Sequence, residues 1–359
     1  VAQSSDRNIP EHRRTRGAGC MTTRIFFRRG LPALFAAAAI LLQASAPASA
    51  KDTVTFGYLA DPSHEAVLWA LRNGKIKSDI IDVSATPLQI PALIQATSAR
   101  TYDVIETAAM AIPPARARGL DLLIMGAGLR YHKSGEGAAI WVKKDSSIKS
   151  VADLKGKSLA VYSLGSAGIT LVRIALHDVY GLNVSLKGGD LSFVEMPAPA
   201  MPAALATGKV DAATLIHAQA FKAMQNGEFR PIAQTAQDLI SQFKVRMVSA
   251  VIAGYGDKLR AKPEIYREFQ RVLRASMEYA QDHPSEVFTA VGKDFNIDPE
   301  FFKVWFARFS EFPAVLSDQD VKAISLLWEK AKALDILKAY PPIDETIWDK
   351  ALREEALKH

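Results

Sequence analysis

VTFGYLADPSHEAVLWAL (residues 54–71) and LAVYSLGSAGITLVRIAL (residues 159–176) are built to one plan. Each begins as a β-branched or apolar run, passes through a short loop of small and polar residues, and continues as an apolar pattern at helical spacing. In the first, Asp61-Pro62-Ser63 breaks a strand over 54–58, and a helix follows over 64–72, stopped by Asn73-Gly74. In the second, a strand over 158–162 meets Gly165-Ser166-Ala167-Gly168, and the helix over 167–179 stops at Tyr180-Gly181. Residues 102–118 and 210–225 repeat the order strand, small or polar residues, helix. Identities between the pairs are few, so the echo is one of architecture. Strands alternating with helices predict an α/β fold with mostly parallel sheets in two lobes built alike.

The intervening segments fit this plan. Strands are predicted over 80–83, 139–142 and 191–195, with helices over 91–98 and 199–206 and a helical turn over 150–154. Residues 121–126 form an apolar run suited to a buried parallel strand. After Phe243 the character changes: one apolar strand over 247–253, then helices. Residues 263–281 carry Ile265, Phe269, Val272, Leu273 and Met277 at helical spacing, and Asp298-Pro299-Glu300 starts a helix with Phe302, Trp305, Phe306 and Phe309. Ser317 and Asp320 cap a third helix running to Leu337. The aromatic stripe reads as core packing.

The charge belongs mostly to the beginning of the chain. Its 359 residues hold 44 Lys and Arg against 38 Asp and Glu, a net +6. Residues 1–50 contain seven arginines and two acids, leaving 37 basic against 36 acidic residues in the rest. A uniformly basic body, and with it a nucleic-acid footprint, is excluded. From Met21 the order is Arg24, Arg28 and Arg29, an apolar stretch over 31–42, then Ala48-Ser49-Ala50. That is the layout of a secretory signal with cleavage after Ala50, and a dozen apolar residues fall short of the ~20 that span hydrocarbon. The expectation is a leader over 21–50 and a periplasmic mature chain beginning at Lys51. Cys20, the one cysteine, lies ahead of that leader, so disulfides, thiolate catalysis and Cys-based zinc sites are excluded from the mature chain.

Lobes of this kind point strand carboxyl ends and helix N-termini outward, where open sheets bind ligands. Facing lobes would bring several helix N-termini to one cleft, whose unpaired N–H groups and dipoles favour an anion without any Lys or Arg. The stretches 61–64, 107–110, 163–168 and 217–219 are the candidates. Their small residues Ala108, Gly165 and Gly168 admit close backbone approach, although Gly, Ser and Pro serve turns equally well. Reactive chemistry is not in evidence. The histidines do not pair at metal-ligand spacing, Gly165-Ser166-Ala167-Gly168 lacks the glycine of a nucleophile elbow, and Gly254-Tyr255-Gly256 lacks the third glycine of a dinucleotide fingerprint.

The stretch VKKDSSIKSVADLKGKSLAV (residues 142–161) resembles the domain-entry motif of periplasmic solute-binding proteins of ATP-binding-cassette importers. Gly57-Tyr58, Tyr102-Asp103-Val104 leading to Thr107-Ala108-Ala109, and Gly208-Lys209-Val210-Asp211-Ala212 are similar to the nitrate, taurine and alkanesulfonate branch, which includes binders of thiamine precursors. The resemblance implies a two-lobed periplasmic-binding-protein fold of type II with two crossovers. Lobe one would be 51–139 plus 247–359 with the C-terminal helices packed on it, lobe two 140–246, and the hinge near Gly137 and Arg246-Met247. It implies a monomer without cofactor or metal that captures a small organic anion, of sulfonate or carboxylate type, and presents it to a membrane permease. By position, Ser163, Ser166 and Ala167 match the family's anion-holding helix start, Thr107 and Ala108 its first-lobe turn, and Ser63 and His64 its first loop. His217 and Gln219 fall where many relatives have aromatic or acidic residues. Arg246 could add a charge-assisted contact or serve equally as a hinge residue. Two alternatives share the scaffold: an enzyme of pyrimidine-precursor or menaquinone-pathway type, and an extracytoplasmic ligand sensor.

Overall fold

The computed structural model describes residues 50–357, and the leader and Cys20 lie outside the described residues. β1 (Asp52–Leu59) runs into α1 (Pro62–Arg72), whose N-cap Asp61 accepts the Ser63 N–H while Pro62 occupies the first turn. β2 (Ile81–Leu88), α2 (Ile90–Ala99), β3 (Val104–Ala108), α3 (Ile112–Ala117) and β4 (Leu122–Tyr131) follow. β5 (Ile140–Lys143), β6 (Ser158–Val161), α4 (Ala167–Asp178), β7 (Ser192–Glu195), α5 (Met201–Ala206), β8 (Ala212–Ala213), α6 (His217–Asn226) and β9 (Phe229–Ala233) make a second group. Then come α7 (Thr235–Phe243), β10 (Val248–Tyr255), α8 (Gly256–Ala261), α9 (Pro263–Asp282), α10 (Pro284–Phe295), α11 (Glu300–Val304), the short β11 (Ser310–Glu311) and α12 (Asp318–Ala333).

Two sheets result. The first has the order β11-β4-β10-β3-β1-β2 and the second β7-β6-β8-β5-β9. The chain passes from first to second through residues 132–139 and returns through 234–247, so the two expected crossovers are present. The expectation of mostly parallel sheets needs correction. β1 pairs parallel with β2 and β3, and β6 with β7 and β8, but β10 runs against β3 and β4, and β5 against β8 and β9. The strand that enters the second sheet and the one that re-enters the first thus oppose the strands made by βα units. β4 is buried at all ten positions, yet both of its partners are antiparallel. A continuous apolar run reports burial of both faces and says nothing of direction.

The C-terminal helices belong with the first sheet: α9 packs on α1 and β1, and α12 on β10. The α9 face expected from its period is mostly buried, with Phe269 meeting Phe56 edge-on at 5.2 Å. Each such side chain contributes about 1.5–3 kcal/mol by leaving water. Ser317 and Asp320 form the capping box of α12, which stops at Ala333, short of the expected Leu337. Unforeseen in the sequence were β9, an edge strand that tolerates Pro231, and α7 in the second crossover.

Candidate functional site

Where the two sheets meet there is a cavity of about 90 Å³. Its wall comes from the ends of β3, β4 and β10 on the first sheet, from the starts of α4 and α6 on the second, and from Gly137 and Ala138 in the first crossover. Gly137 is required there, because a β-carbon would collide with the backbone carbonyl of Phe309.

Of the expected site residues, Thr107, Ala108, Ser166, Ala167 and His217 lie in this wall. Ser63 and His64 are fully buried directly behind it and touch it only through other side chains. Ser163 supports the wall from below, its carbonyl accepting both the backbone N–H and the hydroxyl of Ser166. Two further expected residues lie outside this wall. Gln219 lines a separate surface depression with Pro202 and Lys222, because two residues along α6, about half a turn, carry it to the opposite face from His217. Arg246 pairs with Glu311, a carboxylate also held by Arg130, so its charge is consumed at the crossover and not in the cavity.

Among the wall residues that escaped the sequence reading are Glu106, Tyr131, Tyr162 and Thr214. Glu106 is 1% exposed. Its Oε2 accepts the Leu59 N–H at 3.0 Å, and its Oε1 lies 3.0 Å from His64 Nε2. A carboxylate is rarely buried unless paired, so its place at the end of an apolar strand was the available signal. Gly128 leaves room for it, since a β-carbon there would sit 3.2 Å from Glu106 Cγ.

Behind Glu106 runs a continuous polar chain. His64 Nδ1 is 3.2 Å from Ser63 Oγ, which donates to Asp61 Oδ1 at 2.5 Å, and Asp61 Oδ1 is 3.2 Å from His217 Nδ1. The chain therefore starts at the wall on the first sheet and returns to it on the second. Burial alone would lower the His64 pKa, but the charge and hydrogen bond of Glu106 outweigh it and raise the imidazole above its ordinary value. Asp61 is likewise opposed by burial, yet the charge and hydrogen bond of His217, with His64 adding, hold its carboxyl far below the usual range. The same His217 nitrogen also lies 3.3 Å from Trp305 Nε1. A single nitrogen serves one of these partners at a time: protonated, it donates to Asp61, and unprotonated, it accepts from the indole. His217 holds φ at 47°, the left-handed region that side-chain-bearing residues seldom occupy.

The α4 N-terminus, expected to hold an anion, has the Tyr162 ring against it. A β-carbon on Gly168 would overlap Tyr162 Oη, so the phenol rests on the first turn of the helix. Burial pushes this phenol up to about 12, with the Ser166 hydroxyl pulling the other way. The wall contains neither Lys nor Arg. Among the described residues, no group of three or more His, Cys, Asp or Glu side chains is placed to hold a metal, and no helix is long and apolar enough to cross a membrane.

A family model described as NMT1/THI5 like matches residues 95–287. The chain belongs to that family. The NMT1/THI5-like stretch takes in the whole second sheet, both crossovers and all of the cavity wall except Leu59, Ile90, Leu93, Ile94 and Ser310. A Haemophilus influenzae protein named for thiamine biosynthesis is 25% identical over 271 residues, 69% of this chain and 76% of that protein. The periplasmic aliphatic sulphonate binding protein SsuA of Escherichia coli superposes with a TM-score of 0.63 at 17% identity, covering 84% of this chain and 93% of its own. SsuA of Xanthomonas axonopodis pv. citri, bound to MOPS, gives 0.64 at 18%, covering 85% and 100%. The NMT1/THI5-like chain thus has the periplasmic-binding-protein fold, as the resemblance in its sequence implied.

Proposed function

We propose that this chain is an extracytoplasmic solute-binding protein, exported by its leader, that closes two lobes around a small molecule and delivers it to an ABC permease. The observation that carries the reading is the cavity at the sheet junction, walled from both sheets and from the first crossover. Lobe one would be 51–139 with 247–359 and lobe two 140–246. Bending at Gly137 and near Arg246-Met247 would open the cleft, and the Asp61–His217 contact would hold it shut. The periplasmic neighbours support the transport role, and no activated nucleophile in the wall favours an enzyme. The ligand anticipated from the sequence, a small organic anion, would rest on the starts of α4 and α6 alone, in a wall without Lys or Arg and with Tyr162 set against Gly168. Native mass spectrometry of the protein isolated from periplasm tests the reading: a small molecule of defined mass should co-purify and be released on unfolding. A protein retained in the cytoplasm, or one that turns over its bound molecule, would defeat it in favour of the enzyme.

A further inference from the structure

The wall of the cavity is asymmetric in its hydrogen bonding. Ser166 Oγ donates to the Ser163 carbonyl at 2.8 Å, and Thr214 Oγ1 donates to the Ala160 carbonyl at 3.1 Å. Each of these hydroxyls has spent its proton on the protein. Ser166 Oγ further accepts the Ile169 N–H at 3.2 Å, and Glu106 lines the same cavity. Thr107 Oγ1, which accepts from Thr97 at 2.8 Å, and the phenols of Tyr131 and Tyr162 are the hydroxyls still able to turn a proton inward. Glu106 itself uses one lone pair of each oxygen, on Leu59 N–H and on His64, and a carboxylate has about four such sites. The others are unused by the protein, on a side chain that lines the cavity.

Charge points the same way. Among the described residues, Glu106 is the one carboxylate in a wall without Lys or Arg; the His217 Nδ1 is turned to Asp61 and Trp305, and His64, which balances the carboxylate, stands on the far side. A ligand in the cavity meets the negative member of the pair first. We infer that Glu106 is the specificity-determining residue of this cavity and that it selects a neutral or cationic ligand presenting N–H donors, while rejecting carboxylates and sulfonates. His64 is then a positioning residue, holding the carboxylate so that its free lone pairs face inward. This deepens the solute-binding reading and rests on it.

Three probes of one shape separate the possibilities: benzamidine, benzamide and benzoate differ only in the group offered to Glu106. With the full mature chain, calorimetry and thermal shift should rank them benzamidine, benzamide, benzoate, with benzoate at least tenfold weaker than benzamidine. Glu106→Gln should bring benzamidine and benzoate within about threefold of each other, because the amide offers both a donor and an acceptor. If Glu106→Gln does not fold, the ranking on the unaltered protein decides the matter alone. Benzoate binding as well as or better than benzamidine overturns the inference and leaves the solute-binding reading standing. Binding by none of the three also overturns it. The solute-binding reading fails separately, if no small molecule co-purifies from the periplasm.

Discussion

The buried His64–Glu106 pair can be removed one partner at a time. Both side chains are 1% exposed and their charged atoms are 3.0 Å apart. At that distance and an effective dielectric near 20, the attraction is about 5 kcal/mol. The cost of desolvating both groups cancels much of this in the intact protein, but His64→Leu keeps the buried carboxylate and loses its counter-charge. Leu59 N–H remains as a partner for Oε2. The expected loss of unfolding free energy is about 3–5 kcal/mol, the range for breaking one side of a buried pair. Glu106→Leu should cost less, about 1–3 kcal/mol, because an imidazole can shed its proton and a carboxylate at neutral pH cannot easily gain one. The double replacement should then recover about 2 kcal/mol relative to the sum of the singles. His64 also predicts a pH signature. Its folded pKa is raised, so the pair's contribution is complete below the ordinary imidazole value of about 6.5 and fades as pH rises through the higher folded value. Urea unfolding followed by tryptophan fluorescence between pH 5.5 and 9 measures both effects, with His64→Leu lacking that slope. A single-variant loss under about 1 kcal/mol together with no coupling would refute a compensated pair at this position.

Asp61 gives the opposite pH dependence. Its folded pKa is lowered, so its contribution is present above the ordinary carboxylate value of about 3.9 and is lost as pH falls through the folded value. Urea midpoints should fall between about pH 4 and 2.5 in the unaltered protein, and Asp61→Asn should be lower at neutral pH and flatter in acid; equal slopes would remove the Asp61–His217 contact as a closing latch. Gly168→Ala should displace Tyr162 and change the ligand affinity at least tenfold without unfolding the protein. Gly165→Ala, whose added carbon would meet Ile94 Cδ1 at an ordinary 3.7 Å, should leave affinity unaltered. Calorimetry with the co-purified ligand compares the two, and equal affinities would place Tyr162 outside the site.

Much of the fold was legible because local chemistry fixes it. Asp61, Ser166 and Ser317 cap the helices they precede, and Gly74, Gly181 and Gly227, all at positive φ, stand where helices end. Each is a backbone demand met by one residue type, so it leaves a trace in the sequence. Direction and pairing leave no such trace. The ten buried positions of β4 would read the same in either orientation, and only the two crossovers decide that β10 and β5 run against their neighbours. Short pieces such as β8, two residues long, are held by the strands on either side and carry no period of their own.

The site shows where that logic stops. The helix starts at 166 and 217 were found because a helix start is a property of the backbone, and both reach the cavity, as does the strand end at Thr107. From there the inference to an anion required those starts to be open, and openness is decided by side chains distant in sequence or rotated into place. Tyr162 lies on the α4 start, and Ser166 and Thr214 turn their protons into the protein. Glu106, one residue before a position that was singled out, brings the opposite charge to the wall. It can do so only because His64, 42 positions earlier, supplies the compensating proton from behind. A buried carboxylate in a strand is therefore informative in a way that a serine in a turn is not: burial demands a partner, the partner takes the far side, and the near side is left for a ligand. By that argument the polarity of this cavity is set by one side chain more firmly than by two helix dipoles. Each dipole amounts to about half a charge at an N-terminus and the carboxylate to a whole one.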